Sequence, residues 1–100
     1  MFAVIYRGFV KPNLEEQYLA FWKQIAAYFV LKQGAIGSTL HRAEDGMWIA
    51  YSKWPDKSVR DASWLGLDLP EEIQQAIIGL RNCLDVQLPE ICMEVIEQIE

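Results

Sequence analysis

The chain has 100 residues, of which 52% are hydrophobic and 12% aromatic. These values fit one folded domain, residues 1–100, and exclude a disordered chain. The net charge of −5 argues against a nucleic-acid partner, because phosphate backbones are bound through clustered lysine and arginine. No segment approaches the roughly 20 apolar residues that span a bilayer, and the first residues do not resemble a signal peptide. We therefore expect a cytoplasmic protein with no membrane partner.

The first predicted elements are a strand and a helix. Phe2–Val10 is rich in β-branched and aromatic residues, which favours a strand that ends before Pro12. Asn13 and Glu16 have the spacing of a capping box, so a helix is predicted to begin at Leu14. Apolar residues then recur at three- and four-residue intervals and predict one apolar stripe. This stripe comprises Leu14, Tyr18, Phe21, Trp22, Ile25, Tyr28 and Phe29. Gly34 is expected to end the helix in the left-handed conformation.

A hairpin is predicted next, with strands Ser38–Ala43 and Met47–Trp54 around an Asp-Gly turn that supplies positive φ angles. The register depends on the length of the turn. A two-residue turn places His41 opposite Ala50, whereas a three-residue turn places it opposite Ile49. The sequence leaves both registers open.

The second half of the chain predicts two helices. Asp56 or Ser58 can cap a short helix that extends to about Trp64, and Asp68 with Glu71 forms a second possible capping box. Apolar spacing then predicts a longer helix. Its stripe comprises Ile73, Ala76, Ile77, Leu80 and Leu84.

The chain is predicted to end in a strand. Leu88 and Pro89 interrupt the helical pattern, and Ile91–Ile99 is expected to form the last strand, although its Glu, Met and Gln residues also favour a helix. The order is then β-α-β-β-α-β with the second helical region divided. This order indicates an α+β fold of the ferredoxin-like kind with a four-stranded antiparallel sheet.

Both faces of the predicted sheet are apolar. Alternation places Ile5 and Phe9 on one side of the first strand and Val4 on the other, and it separates Tyr51 from Trp54 in the third strand. Since helices cover only one face, the other face predicts a homodimer in which two sheets pack together.

The cysteines and the single histidine indicate no metal centre. Cys83 and Cys92 lack CxxC spacing and lie in apolar surroundings, so both are expected to be buried and inert. With His41 as the only histidine, no paired-ligand motif is present. We expect neither a metal nor another cofactor.

The segment from Gly34 to Trp54 contains a glycine after the first helix, a Leu-His-Arg strand centred on His41, an acidic-Gly turn at Gly46, and a strand that ends in an aromatic residue and Trp. In these features it resembles the central block of the antibiotic biosynthesis monooxygenase family. The resemblance implies a dimeric α+β barrel with a pocket between sheet and helices. Some relatives oxygenate electron-rich polycyclic phenols or quinols without metal or flavin, and others degrade haem.

The pattern of the haem-degrading branch differs from this sequence. That branch uses an Asn on the first strand and a Trp and a His in the second helical region. Here the first strand has no Asn, and no His follows Trp64. The resemblance therefore implies oxygenation more than haem degradation.

Seven side chains are candidates for such chemistry. His41 is the only one whose ordinary pKa suits a base at neutral pH, although a lone strand histidine more often has a packing role. Arg7 is a candidate donor to an anionic substrate group, although it can equally pair with a carboxylate. Tyr51 is a second candidate donor. Candidate walls of a substrate pocket are Tyr6, Trp22, Trp54 and Trp64.

The predicted function follows from these residues and the resemblance. We expect a cofactor-independent monooxygenase that acts on a flat phenolic or quinol-like small molecule with O₂. The alternative is a non-catalytic dimer that binds an apolar aromatic small molecule or serves as an accessory subunit.

Overall fold

The computed structural model describes residues 1–65 and 69–99. In this part of the chain, strands and helices follow the order β-α-β-β-α-α-β. They are β1 (Phe2–Val10), α1 (Glu15–Lys32), β2 (Gly37–Arg42), β3 (Trp48–Trp54), α2 (Lys57–Leu65), α3 (Glu71–Asn82) and β4 (Leu84–Glu94). The order confirms the predicted ferredoxin-like α+β fold with a divided second helical region.

The sheet has the strand order β2-β3-β1-β4, and all neighbouring strands are antiparallel. In β1 and β3, Phe2 pairs with Trp54 and Val4 pairs with Ser52. These side chains share the face that carries the helices, because cross-strand partners lie on the same side of a sheet. A buried cluster joins this face to α1 and α3. Its members are Phe2, Val4, Ile25, Phe29, Ala35, Trp54 and Ala76.

The opposite face, here called the open face, carries no helix. Alternation and strand register place a second apolar set there. The open face includes Ile5, Phe9, Ile49, Tyr51, Val86, Ile91 and Met93. Val86 is 46% exposed and Ile91 is 39% exposed. The predicted apolar character of both sheet faces is therefore present in the structure.

Helix α1 begins differently from the prediction. Asn13 has a φ of 69°, and Leu14 is the N-cap residue without a side-chain cap hydrogen bond. The Leu14 amide donates to the Lys11 carbonyl at 3.1 Å, which closes a turn through Pro12 and Asn13. Proline followed by a left-handed Asn is favoured in such a turn, so Asn13 is used in the turn and the predicted capping box is wrong.

The end of α1 agrees with the prediction. Gly34 has a φ of 83°, a conformation that glycine adopts without the steric cost of a Cβ atom. Beyond it, the Ala35 amide donates to the Phe29 carbonyl at 3.1 Å. The chain thereby reverses towards β2.

The hairpin between β2 and β3 has the longer of the two predicted turns. The Ala43 amide donates to the Met47 carbonyl at 2.8 Å, and Gly46 has a φ of 91°. Three residues therefore separate the paired positions, and His41 lies opposite Ile49. This register places His41 on the open face.

The caps of α2 and α3 differ. Asp56 Oδ1 accepts from the Val59 amide at 2.9 Å, so Asp56 is the residue that caps α2. Helix α3 begins after Pro70, whose side chain makes no cap hydrogen bond. Asp68, the other predicted cap, lies outside the described residues.

Strand β4 corrects three predictions. It begins at Leu84, which was assigned to the helix, and it ends at Glu94 instead of Ile99. Pro89 lies within the strand because β4 is at the edge of the sheet and its register against β1 shifts beside Pro89.

Cys83 is buried as predicted, but Cys92 is exposed because this edge has no covering element. Among the described residues, no helix is both long and apolar enough to cross a membrane.

Candidate functional site

A cavity of about 570 Å³ lies between the sheet and helices α1, α2 and α3. Its volume falls in the range of small-molecule sites. Six aromatic side chains from β1, β3, α1 and α2 contribute to its wall. They are Tyr6, Tyr18, Trp22, Phe29, Trp54 and Trp64.

The aromatic wall is organised around Phe29. The Phe29 ring stacks on Trp64, with 4.9 Å between centroids and 22° between planes. Phe29 also contacts Trp54 edge-to-face at 5.9 Å, and Tyr6 lies 6.0 Å from Trp64. Trp54 is fixed further because its Nε1 donates to Ser52 Oγ at 3.2 Å. These contacts create a flat, apolar and rigid surface.

A polar cluster lies at one end of the aromatic wall. Arg60 Nη2 donates to Tyr6 Oη at 3.2 Å and to Glu90 Oε2 at 2.7 Å, and Nη1 lies 3.4 Å from Asp61 Oδ1. The Arg60 side chain is only 12% exposed, whereas that of Glu90 is 40% exposed. Helix α2 supplies the arginine, β1 the tyrosine and β4 the carboxylate. The cavity thus contains a largely buried cation.

Burial and hydrogen bonding set the protonation of this cluster. Burial raises the pKa of Tyr6, and the hydrogen bond from Arg60 offsets part of that increase. For Arg60, burial alone would lower the pKa. The hydrogen bonds with Glu90 and Tyr6 together raise the pKa by more than burial lowers it, so the net shift is upward. At neutral pH the cavity therefore holds a protonated phenol beside a permanent guanidinium charge.

Three residues that line the cavity have a buried donor without an acceptor among the described residues. The donors are Arg7 Nε, Arg60 Nε and Trp64 Nε1. Arg60 and Trp64 lie on α2, four positions apart, which places them on the same side of the helix. An unpaired buried donor is costly, so a ligand with an acceptor oxygen would stabilise this part of the wall.

The structure brings some of the predicted site residues together and separates others. Five of them contribute to the cavity wall: Tyr6, Arg7, Trp22, Trp54 and Trp64. Arg7 pairs with Ile49 of the open face and reaches the cavity beside the register shift in β4. Its Nη2 donates to the Pro89 carbonyl at 3.0 Å. His41 and Tyr51 lie on the open face and do not line the cavity. Neither side chain is positioned to act on a ligand in the cavity.

Sequence reasoning missed Arg60 and Glu90. The i, i+4 spacing of Arg60 and Trp64 on a predicted helix was an available signal, because it places a cation beside an aromatic ring. No comparable signal pointed to Glu90. Its contact with Arg60 depends on the path of β4 past Pro89, which the sequence analysis interpreted as an interruption.

Comparison with solved structures supports the fold. The sequence itself matches no family model and no curated protein. A protein of Chloroflexus aurantiacus J-10-fl, named a candidate antibiotic biosynthesis monooxygenase, superposes with a TM-score of 0.78 at 15% identity, over 99% of this chain and 96% of that one. SnoaB of Streptomyces nogalater, a cofactor-independent oxygenase, gives 0.76 at 16% identity, over 98% and 95%. The chain has the antibiotic biosynthesis monooxygenase fold. This confirms the predicted ferredoxin-like α+β fold, while the reaction requires a separate argument.

Proposed function

We propose that this protein is a cofactor-independent monooxygenase that oxidises a flat phenolic or quinol-like molecule with O₂. The observation that carries the proposal is the Arg60 and Tyr6 pair at the end of the aromatic cavity. The stacked rings of Phe29 and Trp64 match a flat substrate, and the polar pair matches its oxygen. The similarity in fold to a cofactor-independent oxygenase supports the same reaction class.

The proposed reaction needs no external reductant. Loss of the phenol or enol proton places electron density on a ring carbon that still carries hydrogen, and this carbon forms a bond to O₂. The peroxide takes up a proton, and the resulting hydroperoxide loses water together with the hydrogen of that carbon, which leaves a carbonyl group. One oxygen atom enters the product, the other leaves in water, and the substrate supplies all four electrons that reduce O₂.

The protein's contribution is to favour the anion and exclude water. Arg60 lowers the free energy of a negative oxygen beside it, and the largely buried position makes that interaction stronger than in solvent. Tyr6 adds a neutral donor, because its oxygen accepts from Arg60 and its own proton is free for a ligand. The aromatic wall keeps the reacting carbon away from bulk water.

Oxygen uptake with anthrone and naphthoquinol substrates tests this function. The matched variants are Arg60→Gln and Arg42→Gln, since Arg42 is an exposed arginine that pairs with Glu15 outside the cavity. We expect Arg60→Gln to lower kcat/KM about 100-fold, as loss of an oxyanion donor does, and Arg42→Gln to leave it unchanged. The proposal fails if the intact protein consumes no oxygen with any of these substrates.

The same assay distinguishes the alternative function. Among the described residues that line the cavity there is no histidine, and the one carboxylate, Glu90, is held in an ion pair with Arg60, which weakens it as a proton acceptor and favours a binding protein. Saturable quenching of tryptophan fluorescence by these compounds, without oxygen uptake, would support binding alone.

A homodimer is the second part of the proposal. The accessible surface is 6608 Å² for a chain of 11.5 kDa, whereas a compact monomer of that mass exposes about 5800 Å². The excess of about 800 Å² is comparable with the area that each partner buries in a standard interface. Apolar residues concentrate on the open face, so we propose that two copies pack their sheets together. Sedimentation at micromolar concentration tests this assembly.

A further inference from the structure

The Arg60–Glu90 pair combines a buried cation with an accessible counterion. Glu90 is the nearer of two carboxylate partners of Arg60, at 2.7 Å compared with 3.4 Å for Asp61, so its departure without a substitute leaves a largely buried charge poorly compensated, which is destabilising. Glu90 faces a smaller barrier to leaving. Its side chain is 40% exposed and lies on the edge strand β4, so its carboxylate can move into water. The pair is therefore suited to exchange of one anion for another.

We infer that the cavity binds its flat aromatic ligand as an anion, whose negative oxygen replaces the Glu90 carboxylate on Arg60. The inference rests on the proposed function for identifying this ligand as the substrate, which would then enter as a phenolate or a ring carboxylate. Glu90 acts as the nearer resident counterion of Arg60 until the ligand arrives.

The surroundings of Arg60 favour such an exchange. An incoming oxygen would meet Tyr6, whose proton is available, and Trp64 Nε1, a buried donor without an acceptor in the described chain. Glu90 accepts a hydrogen bond from Arg60 but does not accept one from Trp64 Nε1. A ligand oxygen at the same end of the cavity can therefore form hydrogen bonds that Glu90 does not form.

The charge of the cavity differs from that of the whole chain. The described residues that line it include three arginines, Arg7, Arg60 and Arg81, and one carboxylate, Glu90. The complete sequence has a net charge of −5. The chain as a whole repels anions, whereas the arginines of the cavity attract them, so the charge distribution favours binding of an anionic ligand in the cavity.

The test uses one flat probe in two charge states. 2-Anthracenecarboxylate is ionised at pH 7.5, and 2-anthracenecarboxamide has nearly the same shape without the charge. Binding is followed by quenching of tryptophan fluorescence. We expect the intact protein to bind the carboxylate about tenfold more tightly than the amide, because hydrogen bonds to a charged oxygen are the stronger ones.

Glu90→Gln provides the decisive variant because it removes the competing carboxylate. We expect it to tighten carboxylate binding about tenfold and to change amide binding less than twofold. The matched control is Glu94→Gln, which removes the same charge from an exposed position on β4 outside the cavity. It should change neither affinity more than twofold.

A double variant, Arg60→Met with Glu90→Gln, removes the charge pair together and avoids leaving one charge unpaired. If far-UV circular dichroism shows that it is folded, its preference for the carboxylate should disappear. The inference is overturned if Glu90→Gln does not tighten carboxylate binding, if Glu94→Gln gives the same gain, or if the intact protein binds neither probe. Retained preference in the folded double variant also overturns it.

Oxygen uptake separates this inference from the proposed function. Tighter carboxylate binding by Glu90→Gln in a protein that consumes no oxygen would support the anion site and contradict the monooxygenase. Oxygen uptake with an anthrone, but no preference for the carboxylate, would support the monooxygenase and contradict the anion site.

Discussion

The two faces of the sheet are both apolar, but they differ in what surrounds them. On the helix-covered face, Phe2, Val4 and Trp54 are 8%, 0% and 2% exposed. The cavity between this face and the helices is lined in part by the Arg60 guanidinium group. On the open face, Val86 and Ile91 are 46% and 39% exposed. Apolar alternation alone therefore does not distinguish a face that encloses a ligand site from one suited to a second subunit. The difference arises from which face the helices cover.

The largest expected effect is on the helix-covered face. Trp54→Ala should lower the free energy of unfolding by about 3 to 5 kcal/mol, since it removes a buried aromatic group in contact with Phe29. Chemical denaturation at two protein concentrations measures this loss, which should be independent of concentration. A loss below about 1 kcal/mol would contradict the assignment of Trp54 to the rigid core.

A charge on the open face should act on assembly instead. We expect Ile91→Asp to raise the dimer dissociation constant at least about tenfold, because a carboxylate would be desolvated between the sheets. The control is Val30→Asp on α1, where Val30 is 38% exposed, close to the 39% of Ile91. Sedimentation equilibrium should show dissociation only for Ile91→Asp. Equal effects of both variants would remove the open face as the interface.

Alkaline pH should affect the helix-covered face. Burial raises the folded-state pKa of Tyr6 and Tyr18, so both lose their protons more readily when the chain unfolds. Their contribution to stability is complete below the unfolded pKa of about 10 and is lost as pH rises through the folded values. Free energies of unfolding measured from pH 9 upwards should therefore decrease. Tyr6→Phe and Tyr18→Phe should each make that decrease shallower, and an unchanged slope in both variants would contradict the effect of burial.

The smallest expected effect concerns His41. Because it lies on the open face, opposite Ile49, His41→Ala should leave kcat/KM for oxygen uptake within about twofold of the intact protein. The sequence-based prediction of His41 as a base requires a large decrease. A large decrease in kcat/KM would support His41 as the base, and an unchanged value would support a position away from the reacting groups.

Local sequence patterns predicted most of the fold. Strand alternation identified β1 and β3 because their side chains contact different environments on the two faces. Apolar spacing identified α1, and Gly34 marked its end because a positive φ favours glycine. These features depend on neighbours within a few positions, which a sequence displays directly.

The errors occurred where distant contacts decide the conformation. Asn13 can cap a helix or occupy a left-handed turn position, and Pro12 beside it favours the turn. Pro89 was interpreted as an interruption, but proline is tolerated on an edge strand. The position of β4 at the edge depends on the strand order of the whole sheet, which local sequence does not display. The contact of Arg60 with Glu90 joins residues 30 positions apart, so the centre of the candidate site could not be inferred from spacing.

The position of Pro89 also limits how the protein can associate. Strand β4 is 11 residues long and forms one edge of the sheet, where another extended chain could add by backbone hydrogen bonding. Pro89 has no amide hydrogen to contribute to such a ladder, and the adjacent register shift bends the edge. Repulsion between the carboxylates of Asp85, Glu90 and Glu94 would further oppose two such edges meeting. These features oppose growth into ribbons or fibrils along this edge, although the sheet is rich in β-branched and aromatic residues.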